Sequence, residues 1–432
     1  MDWLPVVTLF GLFFLLLGTG LPVAYSIGLS TAACLVTLMP AGPAVSVVSQ
    51  RMASGLDNFA LLAIPFFILA GNIMNTGGIA RRLIDFAELL TGRLPGSLTH
   101  CNIMANMLFG SISGSAIASA AAVGGFMSPI QKQQGYDPAF CAAANITSCP
   151  SGLLIPPSNS LIVFSVASGG TSIGALFLAG YLPGLLMGFS LMLLAGCISV
   201  RRGYPSTPRP SRRQVFTITL RAIPSLLLVF IIMGGIVAGI FTATEASAIA
   251  VVYTLILAVV FYREVKLQEL PGIFLESAVT TSIIMFLVGA SMGMSWAMTL
   301  ADIPFLISDC IEAMSSNPMI ILLLINLLLL IVGSFMDITP ALLIFTPIFL
   351  PLATDLGISP IHFGIMMTFN LCIGICTPPV GTALFVGSSV ANVPVQAVIM
   401  QILPFYLMLS VVLLMVTFIP SISLFLPGLF GY

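Results

Sequence analysis

Ten stretches of this chain are mostly apolar over about the ~20 residues a helix needs to cross a bilayer. They are 4–19, 22–39, 58–77, 139–168, 175–200, 222–241, 244–262, 272–297, 360–390 and 397–427. Two further apolar regions, 98–130 and 318–352, are interrupted in the middle. In hydrocarbon every backbone polar group needs an internal partner, so such runs must be helices. Only 6% of residues are charged, against about 25% in soluble domains. A net charge of −1 excludes the basic footprint of a nucleic-acid binder. The expected class is an all-α polytopic membrane protein. The start, Met1-Asp2-Trp3-Leu4-Pro5, lacks a basic n-region, so the first run is read as mature structure.

Lys and Arg set the orientation. With the N-terminus outside, the inner loops hold Arg81, Arg82, Arg93, Lys132, Arg201, Arg202, Arg209, Arg212, Arg213, Arg221, Arg263 and Lys266, and only Arg51 falls outside. Both termini are therefore expected in the periplasm of a bacterial inner-membrane protein. Beyond Lys266 there is no Lys or Arg, so the first half orients the second.

Sliding the chain along itself by 222 residues superposes its punctuation. Pro129 falls on Pro351, Gly135 on Gly357, Pro138 on Pro360, Gly152 on Gly374, and Pro156-Pro157 on Pro378-Pro379. The spans follow the same offset. Five spans per half force the second half to enter from the opposite face, an inverted repeat of the kind that builds many secondary transporters. The expected units are 1–200, a basic connector 201–221, and 222–432. Segments 79–94 and 301–316 correspond and read as amphipathic helices in the interface plane. The first carries Arg81, Arg82 and Arg93, the second Asp302, Asp309 and Glu312. Connector residues 201–213 are expected at anionic headgroups or as a topology anchor.

The interrupted regions predict re-entrant hairpins, with tips at Ser111–Ser115 and Ser334–Pro340. Arms of ~12–15 residues would reach only ~18–22 Å. Each hairpin precedes a span carrying Pro-Pro, which removes a backbone donor and clashes with the preceding turn. The spans 139–168 and 360–390 should therefore break, at 155–160 and 377–382. Unwound backbone at membrane depth survives only against protein or a water-lined cavity. The breaks offer hard oxygen donors, suited to an alkali cation. The expected sodium ligands are Ser113, Gly114, Ser115, Pro156 and Asn159 on one side, and Ser334, Asp337, Thr339, Thr377, Gly381 and Thr382 on the other. Two or more ions are expected, near Ser113/Asn159 and Asp337/Thr377. Asp337 is the one acidic residue inside a break. A carboxylate there is functional by default, although it could also cap the following helix. The breaks contain no Lys or Arg, so an anion must be held by helix N-termini, amides, hydroxyls and bound cations. The substrate candidates are Ser148, Ser158, Ser160, Asn370 and Pro379.

GSISGSA at 110–116, GYDPAFCAAANITSCPSGLLIPPSNSLIVF at 135–164, GSFMD at 333–337 and GICTPPVGTALF at 374–385 resemble the large, DctM-like membrane subunit of tripartite ATP-independent periplasmic (TRAP) transporters. The resemblance covers essentially the whole chain, and its two Pro-Pro breaks are specific. It implies sodium-driven import of an organic acid by an elevator-type motion, with the hairpins and broken spans moving against a scaffold. It also implies two partners, a four-helix small membrane subunit and a soluble periplasmic substrate-binding protein. Its lean is toward the sialic acid type.

Other readings fit less well. A standalone sodium–dicarboxylate symporter would work without a binding protein. A channel would lack coupled accumulation, and a scaffold without a transport path gives no reason for four breaks. An intramembrane serine protease would pair Ser113 or Ser115 with His100 or His362, but His100 stands ~20 Å along a helix from the tip. The eight cysteines, Cys34, Cys101, Cys141, Cys149, Cys197, Cys310, Cys372 and Cys376, lack metal or redox spacing and read as small packing residues. Glu245 reads as a cap. Glu276 reads as a carboxylate at the inner interface.

Overall fold

In the computed structural model, residues 3–207, 211–314 and 317–432 are described, excepting the side chains of 308 and 310–314. Arg209 and the side chains of Cys310 and Glu312 lie outside the described residues. Among the described residues, twenty helices follow one another: α1 Leu4–Gly18, α2 Val23–Leu38, α3 Ala41–Leu56, α4 Phe59–Thr76, α5 Ile79–Thr91, α6 Ser97–Ser113, α7 Ala116–Gln133, α8 Pro138–Ser148, α9 Asn159–Ala167 and α10 Ile173–Arg202, then α11 Arg212–Val237, α12 Ala243–Phe261, α13 Leu270–Leu300, α14 Ile303–Met314, α15 Pro318–Phe335, α16 Ile338–Asp355, α17 Pro360–Gly374, α18 Thr382–Ala391, α19 Val395–Phe418 and α20 Ser421–Leu429. Among the described residues, eight helices are long and apolar enough to cross a membrane.

Both Pro-Pro spans are split. Helix α8 runs on as a 3₁₀ turn, Cys149–Leu153, and the chain then unwinds before α9; α17 and α18 are separated in the same way. Both hairpins form, with tips tighter than expected. Gly114 and Ser115 alone separate α6 from α7, and Met336 and Asp337 alone separate α15 from α16. The arms are longer than the sequence estimate, 17 and 18 residues in the first hairpin and 18 and 18 in the second. At 1.5 Å per residue they reach about 25–27 Å, and both arms of the second hairpin are among the eight helices long and apolar enough to cross. Ser111, Ser113 and Ser334 continue the helices instead of unwinding, which accounts for the extra length.

Helix α3 replaces an expected loop. Its face packs on α13, where Ala44, Val48 and Ala297 are buried together. Helix α11 begins at Arg212, inside the expected connector, behind a capping box of Ser211 and Gln214. The last apolar run divides at Ile419–Pro420 into α19 and α20. Helix α5 buries Ile79, Ala80, Leu83, Ile84, Ala87 and Thr91, an i, i+4 stripe with its charges on the other side. The residues of α14 at 311–314 carry no described side chains.

The two halves interlock. The first arm of each hairpin packs on the broken helix of its own half, α6 on Cys149–Leu153 and α15 on α17. The second arm packs on the short helix of the other half, α7 on α18 and α16 on α9. These elements form one core. Helices α2, α3 and α4 pack along α13 beside it, and α12 packs on α4.

Candidate functional site

The hairpin tips exist because each second arm starts with a side chain suited to a helix N-cap. Ser115 accepts a hydrogen bond from Ala118 N at 3.2 Å, satisfying one orphan donor of α7. Gly114 has φ +61°, and a Cβ on it would stand 3.0 Å from Asn159 Nδ2. Glycine is thus required twice, for the left-handed turn and for the approach of the tip to the break. Asp337 occupies the N-cap of α16 without a side-chain capping bond. Asp337 as a residue is exposed and lines a cavity.

That cavity, about 580 Å³, is walled by both tips and the first break. Ser113, Gly114 and Ser115 come from the first tip, Asn159 and Ser160 from the start of α9, and Asp337, Thr339 and Pro340 from the second tip. The opposite wall comes from two other helices, with Asn72 and Asn75 on α4 and Glu276 and Thr280 on α13. No Lys, Arg or His lines it. Ser113 Oγ and Asn159 Oδ1 are buried without a hydrogen-bond partner. A buried orphan of this kind costs about 1–3 kcal/mol, and a cation between the two oxygens would satisfy both. The N-terminal turns of α7, α9 and α16 reach the same space, so their free N–H groups are available to an anion.

The second break is organised separately. Ser334 O accepts from Val380 N at 3.1 Å and Gly381 N at 3.3 Å, joining the end of α15 to the unwound segment before α18. Thr377 Oγ1 donates to Ile373 O at 2.8 Å. Thr382 Oγ1 is a buried orphan. Of this group only Ile375 reaches the cavity wall. The expected pair Ser113/Asn159 is therefore brought together, whereas Thr377, Ser334, Gly381 and Thr382 form a cluster apart from the wall that holds Asp337 and Thr339.

The substrate candidates divide too, with only Ser160 on the wall. Ser158 caps α9 and donates to Leu153 O. Pro156, an expected sodium ligand, is buried in the break, and the substrate candidate Pro379 is exposed beyond the cavity. Ser148 and Asn370, equivalent at the 222-residue offset, lie in buried networks. Asn106 Nδ2 donates to Ser148 Oγ at 2.8 Å and Asn145 Oδ1 at 2.9 Å, and Ser119 Oγ donates to Asn106 Oδ1 at 2.7 Å. Asn370 Nδ2 donates to Asn326 O and Oδ1, both at 2.8 Å. These bonds lock each hairpin's first arm to its broken helix.

Sequence reading missed Glu276, Asn72 and Asn75, because nothing in their spacing says which helix faces the opening. Glu245 does close a capping box with Thr242. His362 Nε2 lies 3.2 Å from Thr417 O, and neither histidine lines the cavity.

Broken helices, paired hairpins and a polar cavity inside an apolar bundle define a polytopic helical membrane permease. The fold is similar to the crystal structure of the Alcanivorax borkumensis YdaH transporter, with a TM-score of 0.62 at 13% identity over 87% of this chain and 88% of that one. Residues 10–422 match the family model for the tripartite ATP-independent periplasmic transporter, DctM component, and the chain belongs to that family. It is 59% identical to the uncharacterized protein YgiK of Salmonella typhimurium, over 99% of this chain and 98% of that protein. It is 41% identical to the sialic acid TRAP transporter large permease SiaM of Vibrio cholerae, covering 96% and 97%. It is also 41% identical to the C4-dicarboxylate large permease DctM of Pseudomonas aeruginosa, covering 94% of each. It is a transporter permease, not an enzyme.

Proposed function

We propose that this chain is the large transmembrane subunit of a TRAP transporter that imports an organic acid across the bacterial inner membrane, driven by sodium. The observation that carries this reading is the meeting of both hairpin tips and the first break around one cavity. There Asp337, Ser113 and Asn159 offer oxygen to a cation, and no basic side chain is present to hold an anion. The anion is held by helix N-termini and by the charge of the bound sodium. Coupling follows directly: without sodium, the carboxylate of Asp337 repels the substrate; with it, the site is attractive.

The cavity adjoins the C-terminal end of α4 and the N-terminal end of α13. Those ends lead to Arg81 and Arg82, and to Arg263 and Lys266, so by the positive-inside rule this is the cytoplasmic side. We read the conformation as inward-facing, both termini as periplasmic, and the two halves as inverted. Alternating access is an elevator motion of the interlocked hairpins and broken helices against α2, α3, α4 and α13. A four-helix small membrane subunit and a periplasmic binding protein complete the assembly. The two 41% relatives, named for sialic acid and C4-dicarboxylate transport, make these the first two substrates to test.

The test is uptake of each labelled acid by this chain reconstituted with its small subunit and candidate binding proteins, with and without an inward sodium gradient. Uptake that needs both the gradient and the binding protein is expected. Gradient-driven uptake by the chain alone would instead identify a standalone symporter.

A further inference from the structure

Glu276, expected as a carboxylate at the inner interface, makes no ion pair there. Among the described residues the ion pairs are Arg82–Glu264 and Arg202–Asp137, and Glu276 is in neither. It stands six residues into α13, about 9 Å from the helix start, exposed on the wall of the cavity that Asp337 lines. The two carboxylates differ in what carries them. Asp337 sits on a hairpin tip, whereas Glu276 sits on the long helix against which α2, α3 and α4 pack. The same cavity wall carries Asn72, Asn75 and Thr280, side chains whose oxygens suit a hard cation. Asn72 Nδ2 donates to Ser277 Oγ at 2.8 Å, which ties α4 to α13 next to Glu276 and commits the amide nitrogen, leaving its oxygen available to a cation. The residue equivalent to Glu276 at the 222-residue offset is Ser54, so the charge occurs in one half only, as with Asp337 and Ser115. No Lys, Arg or His lines the cavity to cancel its charge, so the carboxylate is left to attract a passing cation.

We infer that Glu276 is a scaffold-borne cation residue that receives sodium leaving the Asp337 tip on the cytoplasmic side. This rests on the sodium-coupled reading above. Because the residue stays with the scaffold, it meets the ion in one orientation of the tips only. Its effect is therefore one-sided, unlike that of any ligand carried on a tip.

The experiment uses the complete assembly in proteoliposomes, with binding protein added outside so that only molecules of one orientation work. Two quantities are read: half-saturation by external sodium with a sodium-free lumen, and half-inhibition of uptake by lumenal sodium. In Glu276→Gln the lumenal value should rise about fivefold or more while the external value stays within about twofold, the scale of losing one charge in a partly hydrated site. Glu276→Asp should restore the lumenal value. Equal shifts on both sides, or no lumenal shift in a variant that transports, would overturn the inference. Wild-type uptake indifferent to sodium would overturn the sodium-coupled reading itself, and that control is run first.

Discussion

Gly110 and Gly152 cross backbone to backbone: a Cβ built on Gly152 would stand 2.3 Å from Gly110 Cα. The second half repeats the crossing, with a Cβ on Gly374 only 2.6 Å from Gly333 Cα. Hairpin and broken helix meet with no side chain between them, so the tip lies directly over the unwound segment. The glycines are structural, but they set the distance between tip oxygens and break oxygens.

Gly152→Ala and Gly374→Ala should each destabilise the purified protein by about 1–3 kcal/mol, the usual cost of overpacking, because the colliding atoms are backbone and cannot turn aside. Gly234→Ala is the control. A Cβ there meets nothing within 4 Å, and alanine favours the helix. Thermal unfolding in detergent reads both. An unchanged midpoint for Gly152→Ala would mean that the two backbones do not meet at this crossing.

Replacing Asn106 by Leu should cost about 1–3 kcal/mol, since Ser119 Oγ and the Asn145 carboxamide lose a buried partner. The loss should appear as lower thermal stability with little change in sodium half-saturation, because Asn106 touches no cavity residue named above. A selective change in sodium affinity would place this network in the binding site instead.

Ser113→Ala and Asn159→Ala remove the two orphan oxygens. Each should weaken sodium activation of uptake by about tenfold, on the scale of 1.5–3 kcal/mol for a bond to a charged group. Without a carboxylate, this site should also be the weaker of the two: sodium titration of uptake should resolve a low-affinity step that the Asn159 variant loses. A single unaltered step would count against it.

Much of this architecture was legible because proline and glycine act locally. Pro156-Pro157 and Pro378-Pro379 break the spans where a missing donor demands it. Helix α3 was hidden by its composition: Gly42, Pro43, Ser46, Ser49 and Ser54 dilute a face that only packing on α13 makes apolar. The hairpin arms were read short because Ser111, Ser113 and Ser334 look like turn residues, yet each stays helical; Ser111 and Ser334 bond back three residues to Leu108 O and Ile331 O. Ser148 and Asn370 looked free for substrate because sequence cannot show a partner 42 or 44 positions away. Glu276 is the converse case. Its meaning lies in which wall of which cavity it joins, and no spacing carries that information.

Cation binding at Asp337 is the central claim, and thermal unfolding of the purified permease in sodium against potassium tests it without any partner. A ligand at 100 times its dissociation constant stabilises by about 2.7 kcal/mol. The wild-type midpoint should therefore rise with sodium and not with equal potassium, and Asp337→Asn should abolish most of that rise. An equal rise in both salts, or an Asp337→Asn protein that keeps the full sodium shift, would contradict the account.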